Sequence, residues 1–137
     1  MILGFLGAGK MATALVRGAV SSGVVKASDV VISDVYAAAA EKLAKATGAA
    51  IAATNPALVE KVDVIVLCVK PNDALDALRE VRSKLEGKLV ISIVAGLDIQ
   101  ALEAAAGSQV RIVRVMPKTP ALVGQGAAAY TMGNTAT

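Results

Sequence analysis

The residues with the clearest capacity for chemistry lie within the first twelve positions. Gly7-Ala8-Gly9-Lys10-Met11-Ala12 has the spacing G-x-G-x-x-A, directly after the apolar run Ile2 to Leu6 and at the head of a helical pattern from Met11 to Ser21. A strand before it and a helix after it make this a dinucleotide fingerprint rather than merely a tight turn. Gly7 permits the sharp turn, Gly9 lets the backbone approach a pyrophosphate, and Ala12 keeps the helix close to the sheet. Unpaired N–H groups at the helix start would attract the phosphates.

Asp34 ends the second apolar run, about twenty-five residues after Gly9, where a carboxylate can accept a hydrogen bond from an adenine ribose. It can equally be a solvated turn aspartate, since Asp is favoured at strand exits for turn reasons alone. As a ribose acceptor it would repel a 2′-phosphate, which tilts the site toward NADH over NADPH. Neither Val35 nor Tyr36 supplies the positive charge an NADPH pocket needs, although Ser33 can bond a phosphate. Elsewhere the chemistry is narrow. Cys68 is the single cysteine and there is no histidine, so an internal disulfide and the usual zinc and copper sites are excluded and no metal site is expected. Cys68 sits mid-run in a predicted buried strand and reads as core rather than as a nucleophile. Lys70 either places a positive charge beside a phosphate or substrate carboxylate, or snorkels at a strand end.

The elements that must position these residues alternate. Strands are expected at Ile2 to Leu6, Val30 to Ile32, near Ile51, at Val62 to Val69, Leu89 to Val94 and Val110 to Met116. The Val62 to Val69 run is apolar except for Asp63, as suits a central strand buried on both faces. Helices are expected at Met11 to Ser21, Ala37 to Ala46, after Asn55-Pro56 with Asn55 as N-cap, from Asn72 as N-cap to Gly87, and at Ile99 to Ala105. Pro117 to Gly126 reads as loop and Ala127 to Thr131 as a last edge strand. Short connections between alternating strands and helices give an α/β fold, a Rossmann-type doubly wound and mostly parallel sheet in a single domain spanning 1–137. Its crevice would form at the loops of Gly7, Asp34, Lys70 and Ala95.

The whole-chain composition agrees with one packed domain. The 137 residues are 55% hydrophobic and 18% charged, which is the opposite of a disordered composition. A domain this long buries roughly 68–70% of its unfolded surface and needs no disulfide or metal staple. Much of the apolar fraction is alanine, which implies close helix–sheet packing. The net charge of +3 and isoelectric point of about 9.2 come from scattered Lys and Arg without interleaved aromatics, so no nucleic-acid surface is expected. The N-terminus lacks a basic region ahead of its apolar run, and the uncharged stretch Thr119 to Thr137 is broken by Pro120, Gly124, Gly126 and Gly133. A signal peptide and a membrane span are therefore not expected, and the chain reads as cytoplasmic.

Four segments in order carry a more specific likeness: Gly4-Phe5-Leu6-Gly7-Ala8-Gly9-Lys10-Met11-Ala12, Val69-Lys70-Pro71, Ser92-Ile93-Val94-Ala95-Gly96 and Arg114-Val115-Met116-Pro117-Lys118-Thr119-Pro120. With Ala121-Leu122-Val123-Gly124-Gln125-Gly126-Ala127 after them, the chain resembles pyrroline-5-carboxylate reductase from end to end. The resemblance implies an oxidoreductase of proline biosynthesis that transfers hydride from NADH or NADPH to the C=N carbon of a cyclic imine. It implies that Leu6, Gly7, Ala8, Gly9, Lys10 and Met11 hold the pyrophosphate, that Asp34 lies at the ribose with Ser33 beside it, and that Asn55 is near the adenosine. Cys68, Val69, Lys70, Pro71, Val94, Ala95 and Gly96 would line the cofactor, with Met116, Pro117, Lys118 and Thr119 on the nicotinamide and substrate side. No residue of this domain is expected to act as acid, base or nucleophile, since holding imine and nicotinamide at near-attack distance suffices.

Two departures stand out. Lys118 replaces the asparagine that usually follows Met-Pro in the family. Family members also continue into a helical C-terminal domain that forms the dimer and binds the substrate carboxylate, so this chain alone is expected to bind cofactor without substantial turnover. The rival reading is a stand-alone dinucleotide-binding or sensor module that performs no chemistry.

Overall fold

The computed structural model describes residues 1–107, 109–117 and 128–132. The strands are β1 (Leu3–Leu6), β2 (Val30–Ser33), β3 (Ala50–Ile51), β4 (Val64–Leu67), β5 (Leu89–Ser92), β6 (Arg111–Pro117) and β7 (Ala128–Met132). The helices are α1 (Lys10–Ser21), α2 (Ala37–Thr47), α3 (Asn55–Lys61), α4 (Pro71–Val81) and α5 (Ile99–Ala106). One sheet holds all the strands in the order β3-β2-β1-β4-β5-β6-β7. Pairing is parallel from β3 to β6, and β7 returns antiparallel along β6. The expected doubly wound α/β sheet is thus the observed one.

Strand periodicity explains how four-residue strands support two helical layers. Side chains alternate between faces, so Phe5 and Val66 join Ala12, Val16, Ala40 and Leu43 in a core beneath α1 and α2. Leu6, Ile65 and Leu67 point the other way, into a core with residues of α3, α4 and α5 such as Leu58, Leu78 and Leu102. A strand buried on both faces must be continuously apolar, as these runs are. Alanine permits the close approach: Ala12 is 1% exposed.

Several boundaries differ from expectation for local reasons. The N-cap of α3 is Thr54, whose side chain accepts from the Ala57 N–H at 3.2 Å, and Asn55 is already helical. The N-cap of α4 is Lys70 rather than Asn72, with Pro71 in the first turn, where its missing N–H costs nothing. That helix ends at Val81 and passes into a 3-10 turn, Arg82–Lys84, before the fully buried Leu85, instead of running to Gly87. The central strand is shorter than the apolar run. Val62 already leaves α3, and Cys68 lies one residue beyond β4. Pro117 ends β6 rather than opening a loop; the rest of that expected loop, 118–126, lies outside the described residues. Among the described residues no helix is long and apolar enough to cross a membrane.

Candidate functional site

Sheet register brings the strand exits to one level. Leu6 pairs with Ser33 on one side and Leu67 on the other, and Leu67 pairs with Ser92. The chain leaves β1 toward β2 and β3, then crosses to β4 on the opposite flank of β1, so the loops after β1 and β4 diverge over a crevice. Gly7 stands there with φ +105°, and a Cβ on it would lie 2.8 Å from the carbonyl carbon and oxygen of Cys68. Its N–H donates to Ser33 O and the Cys68 N–H donates to Leu6 O, both at 2.8 Å. Only glycine satisfies both the backbone angle and the space.

Gly9 is the converse. It is the N-cap of α1 in an extended conformation, supplies no side-chain cap, and no acidic residue follows in the first turn. A Cβ on it would meet nothing within 4 Å. The N–H groups of Lys10, Met11 and Ala12 have no carbonyl within the helix to bond, and the helix dipole makes that end positive. The Thr13 N–H and hydroxyl both donate to Gly9 O at 2.9 Å, which fixes the last peptide of the turn. Open space above a glycine beside unpaired donors fits a pyrophosphate, so the residues present suit a dinucleotide.

At the exit of β2, both oxygens of Asp34 accept backbone bonds. Oδ2 takes the Ala8 N–H and Oδ1 takes the Tyr36 N–H, each at 2.8 Å. The turn role weighed for Asp34 is therefore present, and it extends to the glycine loop. The Ser33 hydroxyl, on a residue only 2% exposed, donates to Asn55 Oδ1 at 2.6 Å. Asn55 thereby sits against the β2 exit with its amide orientation fixed. Val35 and Tyr36 are exposed beside it.

The remaining residues of the expected site divide by what they can offer. Leu6 and Val94 are buried in the core, so only their backbone can reach a ligand. Val69 is partly buried against the same core. Lys70, Pro71, Ala95 and Gly96 are exposed at the exits of β4 and β5, and Gly96 turns the chain with φ +82°. Cys68 is partly exposed, yet burial of its thiol pushes the pKa up to about 12, which leaves it protonated and unsuited to nucleophilic attack. The backbone of Met116 and Pro117 continues beyond Arg114, the partner of Ser92, and pairs with β7. It therefore projects past the other strand exits. Lys118 and Thr119 lie outside the described residues.

Thr13 was not expected in the site, although a hydroxyl four residues after the second glycine is a readable signal. A groove of about 740 Å³ also runs from Ala8, Gly9 and Lys10 between α1 and α2, with Arg17 and Lys42 on its rim. It lies along the helices rather than over the strand exits, and the close packing and open turn at the exits mark the better candidate site. No group of three or more His, Cys, Asp or Glu among the described residues could hold a metal ion.

Comparison with known proteins agrees with this geometry. Residues 2–96 match the family described as NADP oxidoreductase coenzyme F420-dependent. The chain is 39% identical over 136 residues to a pyrroline-5-carboxylate reductase of Glycine max, covering 98% of this chain and 49% of that protein. It is 35% identical to that of Methanosarcina acetivorans, with 98% and 50% coverage. Among solved structures, a Plasmodium falciparum pyrroline carboxylate reductase with NADP bound superposes with TM-score 0.89 at 34% identity, over all of this chain and 50% of that one. A pyrroline-5-carboxylate reductase of Coxiella burnetii superposes with TM-score 0.92 at 28% identity, over 98% and 50%. The chain thus spans about half the length of the relatives it matches.

Proposed function

The chain belongs to the family described as NADP oxidoreductase coenzyme F420-dependent, and from that premise we propose that residues 1–137 are the NAD(P)-binding half of a pyrroline-5-carboxylate reductase. The observation that carries the reading is the pair of glycines. Gly7 is crowded against Cys68 at the switch point, and Gly9 opens onto free space at the start of α1. When bound, a reduced nicotinamide supplies the hydride that converts a cyclic C=N bond to an amine, giving proline from 1-pyrroline-5-carboxylate.

This chain's own residues bind and orient. The backbone from Leu6 to Met11 receives the pyrophosphate, and Asp34, Ser33 and Asn55 stand at the adenosine side. Residues 68–71 and 94–96 border the crevice, with Met116 to Thr119 toward the nicotinamide. The carboxylate of Asp34 would repel a 2′-phosphate, which favours NADH over NADPH. The imine substrate is held by a further helical domain that also makes the dimer, and the setting is cytoplasmic.

The test is oxidation of NADH or NADPH on addition of 1-pyrroline-5-carboxylate, measured with residues 1–137 alone and after adding the C-terminal half of a relative. Imine-dependent oxidation that requires the added half supports the reading. Saturable cofactor binding without rescue favours a sensor module instead.

A further inference from the structure

The two bonds to the Asp34 carboxylate lie just past the last paired residues of β1 and β2, Leu6 and Ser33, and past the Gly7 N–H to Ser33 O bond. Ala8 lies in the turn between β1 and α1, and Tyr36 is the N-cap of α2. Both N–H groups point at one side chain, at 2.8 Å each. Ala8 is 5% exposed and its bond to Asp34 is part-buried, so removing this carboxylate would leave a largely buried N–H without its acceptor. A bond from a backbone N–H to an ionised carboxylate is also stronger than one between neutral groups.

We propose that Asp34 is a positioning residue, which clamps the glycine turn to the β2–α2 turn through the Ala8 and Tyr36 N–H groups and sets the turn before any cofactor arrives. The inference rests on the reading of that turn as a dinucleotide site. It divides the donors of the loop. The Ala8 N–H is committed to Asp34, and the N–H groups of Lys10, Met11 and Ala12 are left for the pyrophosphate. An acceptor of the ribose hydroxyl would matter only to a ligand that carries that hydroxyl. A clamp matters to the ligand-free protein too.

The experiment is backbone amide hydrogen exchange by NMR on the ligand-free chain, wild type against Asp34→Ala and Asp34→Asn, with NADH and ADP titrations beside it. Expected is at least tenfold faster exchange of the Ala8 N–H in Asp34→Ala, while the Cys68 N–H, bonded to Leu6 O across the crevice, is unchanged. Asp34→Asn retains one acceptor oxygen and falls between. Affinity for NADH and for ADP, which shares the pyrophosphate, falls several-fold together. Unchanged Ala8 exchange in Asp34→Ala overturns the clamp, as does acceleration of Ala8 and Cys68 alike, which would mark general loosening. Failure of the wild type to bind either ligand overturns the functional reading instead, and the exchange result still decides the clamp.

Discussion

Gly7 and Gly9 are two residues apart and under opposite constraints. Alanine at Gly7 must adopt φ +105° with its Cβ 2.8 Å from the Cys68 backbone. Gly7→Ala should therefore destabilise the fold by at least about 1–3 kcal/mol, visible as a fall of several degrees in the thermal midpoint. The glycine spacing was legible because it is local. The engagement of Asp34 with Ala8 was not, because it joins residues 26 apart in sequence and depends on the register of β1 against β2. Burial of the Cys68 thiol was legible from its place within an apolar run, although the residue lies one position beyond β4. With a folded pKa raised from 9.0 to about 12, Cys68 binds its proton more tightly when folded than when unfolded. Its contribution to stability is full below about pH 9 and is lost as pH rises toward 12. Chemical denaturation at about pH 8 and about pH 10.5 should show a smaller decline in Cys68→Ala than in wild type. Equal declines would contradict the burial of the thiol.

At the scale of elements, the alternation of apolar runs and helical patterns gave the order of strands and helices, and the caps were the weak point. Thr54 and Asn55 are adjacent capping types before a proline tolerated at either of the first two helical positions, so composition alone does not choose between them. The structure gives the cap to Thr54. Thr54→Ala should cost about 1 kcal/mol in denaturant unfolding. Asn55→Ala retains that cap and instead releases the Ser33 hydroxyl from its acceptor, so its effect should be seen in cofactor affinity as well as stability. The 3-10 turn after α4 was likewise hidden, because Leu85 keeps the apolar spacing of a longer helix while the backbone tightens. Within α1, Gly18 has open space around a would-be Cβ and no positive φ. Gly18→Ala should stabilise the chain by about 0.5–1 kcal/mol through helix propensity, read from the same unfolding curves. A loss of stability there would mean that the groove between α1 and α2 is tighter than it stands.

For the whole molecule, the order β3-β2-β1-β4-β5-β6 follows from parallel strands linked by helices that fall on both faces of the sheet. That topology places the exits of β1, β2, β4 and β5 at one edge, where the sequence had placed the Gly7, Asp34, Lys70 and Ala95 loops. The contribution of Lys118 and Thr119 belongs to a segment outside the described residues. The central claim is that the turn at Gly7 to Met11 receives a dinucleotide pyrophosphate. Its most direct test is titration of the wild type and Gly9→Ala with NADH and NADPH, following nicotinamide fluorescence in a chain without tryptophan. Because a Cβ at Gly9 meets nothing within 4 Å, that variant should keep the wild-type thermal midpoint. Saturable binding by the wild type, weakened at least tenfold in Gly9→Ala at unchanged stability, is the predicted result. No binding by the wild type, or equal binding by both proteins, would contradict it.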